Sequence, residues 1–312
     1  CMNRMIRKKL LITGCTGYVG KNFVDYYSRM YQDDIIYGIS RNSSYKNDRI
    51  KLIQLDLLDP GLEDAVLQVN PDYIIHLASE RFGDLNTLFR NNVLATENLL
   101  NAALKLKNKH LKILVAGSSA EIGLPITNTS LNEESFCQPV DNYGITKLQQ
   151  SHLARSYQLR YQLNITRLRF FNIIGPGLPD TLLAGKVIRE FIRKIGNNDP
   201  EPIELGNISS YRDYIDIRDI NLAIEKSLHS KLEGELYHIG GGKSVSGYQL
   251  LKTIIDTAPF QDRSQLLYKE DSSVKPLVSM QVAEIGKARD KLMWEPKVSL
   301  EMSLKNMWDY FA

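Results

Sequence analysis

Cysteine is scarce: Cys1, Cys15 and Cys137 are the only three in 312 residues, and no two of them form a CxxC pair. That spacing excludes a disulfide framework and a cysteine-held zinc site, so no metal is expected and a reduced, cytoplasmic setting fits best. Cys1, ahead of Met2, carries no part of the functional argument. Long apolar runs are missing too. Leu10 to Thr13 leads straight into glycines, unlike a signal peptide, and nothing approaches the roughly 18 to 20 apolar residues of a membrane span. Nor is there an excess of one charge. The net charge of +3 comes from 39 basic and 36 acidic residues spread along the chain, without the concentrated basic face that a nucleic acid partner needs.

What is present is an ordinary globular composition, 43% hydrophobic, enough to bury a sizeable core. Short apolar runs at 9–13, 34–40, 51–55, 73–77, 112–117 and 164–170 read as strands, separated by helical patterns. Ile74-Ile75 and Ile113-Leu114-Val115 are apolar on both alternate faces, as strands of a parallel sheet covered on both sides must be. The expected fold class is α/β, a doubly wound parallel sheet of the Rossmann type. After Phe171 the alternation weakens at Gly175-Pro176-Gly177-Leu178-Pro179, ahead of helical stretches at 182–195 and 216–229 and a strand at 235–239. A smaller, discontinuous C-terminal domain follows: 1–171 with 208–242 would bind cofactor, and 172–207 with 243–312 would bind substrate.

After the first strand comes Thr13-Gly14-Cys15-Thr16-Gly17-Tyr18-Val19-Gly20, opening a helix. Glycines at this spacing permit a tight turn, close approach of the backbone to a pyrophosphate, and helix-on-strand packing, with the phosphates on the helix N-terminus. At the second strand's end, where a carboxylate would bond the ribose 2′-hydroxyl of NAD, the chain has Ser40-Arg41. A guanidinium pairs with a 2′-phosphate, so NADP(H) is favoured over NAD(H). Asp56-Leu57 and Leu77-Ala78-Ser79 close the third and fourth strands at ligand-facing ends, and His76 reads as a packed, hydrogen-bonded core residue.

The fifth strand ends in Ser118-Ser119, and Tyr143-Gly144-Ile145-Thr146-Lys147 then opens a long helix. Four-residue spacing puts Tyr143 and Lys147 on one face. A nearby ammonium makes a phenol more acidic, and a serine hydroxyl can hold the same substrate oxygen.

Glycine loop, strand-end serine and YxxxK, in that order, resemble the extended short-chain dehydrogenase/reductase family of sugar-nucleotide epimerases, dehydratases and reductases, over essentially the whole chain. The resemblance places the catalytic serine five residues before Gly123, at Ser118, with Ser119 as a substrate-side helper. It also implies that Lys147 holds the nicotinamide ribose. The acidic residues that family 4,6-dehydratases carry directly after that serine are Ser119 and Ala120 here; Glu121, one residue on, would serve only in a bulged loop. Segments 169–177 and 205–214 most resemble GDP-4-keto-6-deoxy-D-mannose reductases. By that likeness Asn172 and Arg212 contact the sugar diphosphate, and Lys186 and Arg189 are further candidates. Lys275-Pro276 departs from the family's Arg-Pro.

The implied activity is NADPH-dependent reduction of the C4 ketone of a nucleotide-linked 4-keto-6-deoxysugar, GDP-linked by preference, with dTDP or UDP as alternatives. A 4-epimerase or C4 dehydrogenase with retained cofactor is the runner-up, ahead of a 4,6-dehydratase and a non-catalytic NADP-binding sensor. Relatives pair helices corresponding to 86–107 and 143–162 across a two-fold axis, which implies a homodimer.

Overall fold

The computed structural model describes residues 7–42, 47–126, 130–230, 234–273 and 275–312. Cys1 and the basic start of the chain lie outside the described residues. In chain order the elements are β1 (Lys9–Thr13), α1 (Tyr18–Met30), β2 (Ile35–Ser40), β3 (Ile50–Gln54), α2 (Leu62–Val69) and β4 (Tyr73–His76). Then come α3 (Leu85–Phe89), a π-helical turn (Arg90–Leu94), α4 (Ala95–Leu104), β5 (Lys112–Ser118), a 3-10 turn (Ser119–Glu121), α5 (Asn142–Tyr161) and β6 (Asn164–Phe170). The remainder is β7 (Asn172–Ile174), α6 (Leu183–Gly196), β8 (Ile203–Leu205), β9 (Tyr211–Arg212), β10 (Tyr214–Asp216), α7 (Ile217–His229) and β11 (Leu236–Ile239), followed by β12 (Val245–Ser246), α8 (Gly247–Asp256), β13 (Tyr268–Glu270), β14 (Met280–Gln281), α9 (Gly286–Leu292) and α10 (Leu300–Phe311).

Seven strands form one sheet in the order β11-β6-β5-β4-β1-β2-β3. The pairings β1 with β2, β1 with β4, β2 with β3 and β4 with β5 are all parallel. The order reverses between β1 and β4, the switch point where doubly wound sheets open a crevice at the strands' carboxyl ends. All four residues of β4 are buried, which is why its sequence is apolar on both faces. Helix α1 buries Phe23, Val24 and Tyr27 on one stripe. All seven expected strands form within one residue of the expected ends.

The stretch 86–107 is not one regular helix. The π turn at Arg90–Leu94 interrupts it, and α4 ends at Leu104. The extra residue in that turn brings Asn92 inside, where it is fully buried.

The chain divides into two compact units: the described residues of Cys1–Gly123, Cys137–Arg169 and Asn221–Tyr237 form the first, and Leu124–Phe136, Phe170–Ile220 and His238–Ala312 the second. Residues 208–220, expected with the Rossmann domain, fall in the second unit. The reason is their pairing, since β10 lies beside β7 and β9 beside β12 and β14. Asp213 ties the same segment down by accepting from Gly241 N–H at 2.5 Å, Gly242 N–H at 2.9 Å and Ala283 N–H at 3.0 Å. In this unit Trp308 stacks on Phe191 and donates from its indole to the Ile254 carbonyl at 2.9 Å.

Candidate active site

Thr13 closes β1 and Gly14 turns the chain with φ +69, where a Cβ would lie 2.6 Å from the Ala78 nitrogen. Only glycine fits there, and the glycine loop therefore lies directly on the Leu77-Ala78 peptide. Gly17 N–H closes the turn on the Gly14 carbonyl at 3.0 Å. Gly17 is also the N-cap of α1, with no side-chain cap and no acidic residue in the first turn, while Thr16, Tyr18 and Val19 flank it half-buried. A Cβ on Gly20 would sit 2.2 Å from the Gly14 carbonyl oxygen. A pyrophosphate suits such a start: the peptide N–H groups of the helix end face no competing carboxylate.

Beside the loop, Ser40 Oγ lies 3.3 Å from Thr16 Oγ1 and accepts from Asn42 N–H at 3.1 Å. The Arg41 side chain is 63% exposed, so it can turn toward a ligand, and it pairs loosely with Glu80 at 3.7 Å. Asp56 accepts from Leu58 N–H at 2.9 Å; Leu57 is buried in the core and offers its carbonyl to Asn98 at 3.0 Å. Ser79 is exposed at the mouth of β4. These residues fit a nicotinamide dinucleotide.

Ser118 is the last residue of β5. Its N–H donates to Glu121 Oε1 at 2.7 Å and its hydroxyl oxygen accepts from Ala120 N–H at 3.2 Å, so the 3-10 turn holds it from both sides. Ser119 is buried in that turn. Helix α5 is capped by Asp141, which accepts from Gly144 N–H at 2.7 Å. A Cβ on Gly144 would meet the Ala120 carbonyl at 2.4 Å, so the helix start rests on the turn and brings Tyr143 to Ser118. Burial raises the Tyr143 phenol above its ordinary range; hydrogen bonding to Ser118, the Arg81 charge and Ser79 pull it back, and Glu121 pushes it up. Lys147 is buried, and burial lowers its ammonium to about 8 against the opposing effect of Glu121. Its N–H groups donate to the Ala116 carbonyl at 2.6 Å and to Gln150 Oε1.

Four residues of this site went unread in the sequence. The guanidinium of Arg81 lies 5.9 Å from the Tyr143 ring centre. Asn92 accepts from Glu80 N–H at 2.7 Å and donates to the Glu80 carbonyl at 2.8 Å and to Thr146 Oγ1 at 3.0 Å, fastening the β4 loop to α5. Thr96 and Gln150 complete the buried polar layer, with Gln150 Nε2 donating to Thr96 Oγ1 at 2.7 Å. An Asn inside an amphipathic stretch is the one signal that pointed to any of them. Glu121 is itself fully buried and pairs with Arg169 at 2.8 Å, which leaves it no part in proton transfer to a ligand. His76 is the packed residue expected, 1% exposed.

Asn172, Lys186 and Arg212 all belong to the second unit. Lys186 lines a cavity of about 310 Å³ with Glu190, Arg193, Lys194 and Glu204. Asn172 and Arg212 do not line it. Asn172 Nδ2 donates to the Asp213 carbonyl at 3.0 Å, and Arg212 donates to the carbonyls of Tyr211 at 2.8 Å and Val278 at 2.9 Å. Arg189 packs over the Phe311 ring at 4.0 Å, a structural use for its charge.

Residues 10–240 match the NAD dependent epimerase/dehydratase family. The GDP-6-deoxy-D-talose 4-dehydrogenase of Aggregatibacter actinomycetemcomitans is 29% identical over 257 residues, covering 81% of this chain and 81% of that protein. The GDP-6-deoxy-D-mannose reductase of Pseudomonas aeruginosa is 25% identical over 314 residues, covering 96% of this chain and 95% of that one. In fold, the chain resembles the UDP-glucose 4-epimerase of Thermotoga maritima with UDP-glucose, with a TM-score of 0.86 at 22% identity over 97% of this chain and 98% of that chain. It also resembles RMD from Pseudomonas aeruginosa complexed with NADPH, with a TM-score of 0.80 at 21% identity over 97% and 98%.

Proposed function

The chain belongs to the NAD dependent epimerase/dehydratase family, and from that membership we propose that it reduces the C4 ketone of a nucleotide-linked 4-keto-6-deoxysugar with NADPH. The observation that carries the reading is geometric: the Tyr143 hydroxyl is hydrogen-bonded to Ser118 at the end of β5, with Lys147 one turn farther along the same helix. In reduction such a phenol is the acid, and in the reverse oxidation its phenolate is the base. NADPH, when bound, supplies the hydride. The Ser118 hydroxyl donates to the ketone oxygen, and Tyr143 delivers its proton as that oxygen gains charge, leaving an alcohol. Lys147 holds the cofactor ribose and keeps a positive charge near the reacting groups.

Elimination is disfavoured because Glu121, the nearest acid to Ser118 in sequence, is spent on Arg169. NADP is preferred in this reading because Arg41 stands at the end of β2 with its side chain exposed. In the cavity Lys186 is a cation suited to a diphosphate and Glu204 supplies a carboxylate, while Arg193 pairs with Glu190 at 3.0 Å and Lys194 with Asp199 at 2.8 Å. A carboxylate accepts from the N1–H and N2–H groups of guanine together, whereas uracil and thymine offer one N–H between two carbonyls, so a GDP-sugar fits best. A homodimer through 86–107 and 143–162 belongs to the same reading.

The talose 4-dehydrogenase likeness favours one alternative, the same hydride transfer at carbon 4 run as an oxidation or as half of an epimerisation. Absorbance at 340 nm decides between them. Loss of NADPH absorbance with one 4-keto-6-deoxysugar nucleotide among the GDP, dTDP and UDP forms establishes the reductase and names its base. No change with any ketosugar, with a gain on adding NADP⁺ or NAD⁺ to an intact sugar nucleotide, establishes the dehydrogenase.

A further inference from the structure

Lys147 sits at one end of a buried chain of hydrogen bonds whose donors and acceptors can all be assigned. An ammonium only donates, so the oxygen of the Gln150 amide must face it and the amide nitrogen must face Thr96. Thr96 has one hydroxyl proton, and it goes to the Asn92 carbonyl at 2.6 Å. The contact of 2.8 Å between Thr96 Oγ1 and His76 Nε2 is therefore donated by the ring. His76 Nδ1 is then the acceptor, taking the Thr13 hydroxyl proton at 2.6 Å. Thr13 is the residue from which the glycine loop springs. Gln150 is 1% exposed and Lys147 is 2% exposed. So the side chain that fixes the ammonium is a buried neutral amide, itself fixed by a threonine that two other groups hold, the Asn92 carbonyl and the His76 ring.

We propose that Gln150 is a positioning residue for Lys147: its side-chain carbonyl holds the ammonium in place and protonated without cancelling its charge, leaving an N–H for the cofactor ribose. The proposal rests on the reading of Lys147 as the cofactor lysine, not on which sugar is reduced. An amide suits the task better than a carboxylate, which would form an ion pair and quench the field that Lys147 exerts. An apolar residue would leave a buried ammonium short of an acceptor and drive its proton off. The charged and titratable groups that act on Lys147 are Glu121 from the 3-10 turn, which favours the ammonium, and His76 from β4, neutral in this fold; Tyr143 stands four residues earlier on its own helix.

The test is the dissociation constant of the tighter-binding nicotinamide cofactor, read by fluorescence from pH 6.5 to 9.5 for the whole chain. Gln150→Leu, Lys147→Met and the double variant form a cycle. Gln150→Leu should weaken binding about tenfold, the scale of one charge-assisted hydrogen bond, and should add nothing once Lys147→Met is present. Equal weakening in both backgrounds, or none in either, overturns the proposal. Gln150→Glu keeps an acceptor of the same reach and guards against a Leu variant that fails to fold. The pH above which binding falls should move down in Gln150→Leu and up in Gln150→Glu; an unmoved break in both overturns it as well. Failure of every ketosugar to turn over would remove the reductase reading while leaving this cycle interpretable.

Discussion

The carboxylate of Glu121 meets the guanidinium of Arg169 at 2.8 Å, with both side chains out of solvent. The same carboxylate takes the Ser118 N–H, so the pair fixes the height of the candidate catalytic serine. Removing one partner of such a pair strands the other charge in a place with no water. Glu121→Gln should therefore lose on the order of 3 to 5 kcal/mol of stability by urea unfolding. Glu121→Leu together with Arg169→Met should recover much of it. A single variant within about 1 kcal/mol of the parent, the scale of an exposed pair, would show that the charges are not isolated from solvent.

Tyr143→Phe removes the proton donor and keeps the ring that packs near Arg81. Turnover should fall about 10²- to 10⁴-fold, the usual worth of a general acid, with an unchanged melting temperature and cofactor affinity. Ser118→Ala should fall less, because the residue 118 N–H still donates to Glu121 and keeps the strand end in place. Equal rates in the Tyr143→Phe and parent enzymes would remove the tyrosine from the chemistry.

The parts of this molecule that were legible are those that repeat a local rule. Ile74-Ile75 and Ile113-Leu114-Val115 announce covered parallel strands because each face must be apolar, and the glycine loop announces itself because Gly14 has no room for a Cβ. What stayed hidden depends on partners distant in the chain. Glu121 finds Arg169 from 48 positions away, and Gln150 finds Thr96 from 54; neither pairing leaves a periodic trace. The π turn was invisible because one added residue hardly disturbs the apolar spacing of 86–107. Residues 208–220 were misplaced between units because strands of two and three residues, β9 and β10, are too short to show alternation.

Cofactor preference turns on Arg41. If its exposed guanidinium meets a 2′-phosphate, Arg41→Ala should raise the KM for NADPH by tenfold or more, the scale of a lost charge-assisted contact, and leave that for NADH nearly unchanged. Glu80→Gln releases Arg41 from its loose pair and should tighten NADPH modestly. Equal effects on both cofactors would assign Arg41 to the surface and leave the preference to other residues.

His76 makes the fold sensitive to acid. Burial, with the Lys147 charge adding to it, pushes its imidazole down to about 3, against 6.5 in the unfolded chain. Between those values the unfolded chain binds a proton that the folded one refuses, so folding stability falls as pH drops through the window, by at most about 1.4 kcal/mol per pH unit. Above pH 6.5 the neutral ring costs nothing, and its bonds to Thr13 and Thr96 are fully present. His76→Gln cannot span both threonines and should be less stable at pH 7.5, yet it carries no titrating group and should lose less on acidification. Urea midpoints of the two proteins, taken at pH 7.5, 6.5, 5.5 and 4.5, should therefore converge as pH falls. Parallel curves would mean that His76 takes up its proton within the fold, which the hydrogen bonds from Thr13 to Lys147 leave no room for.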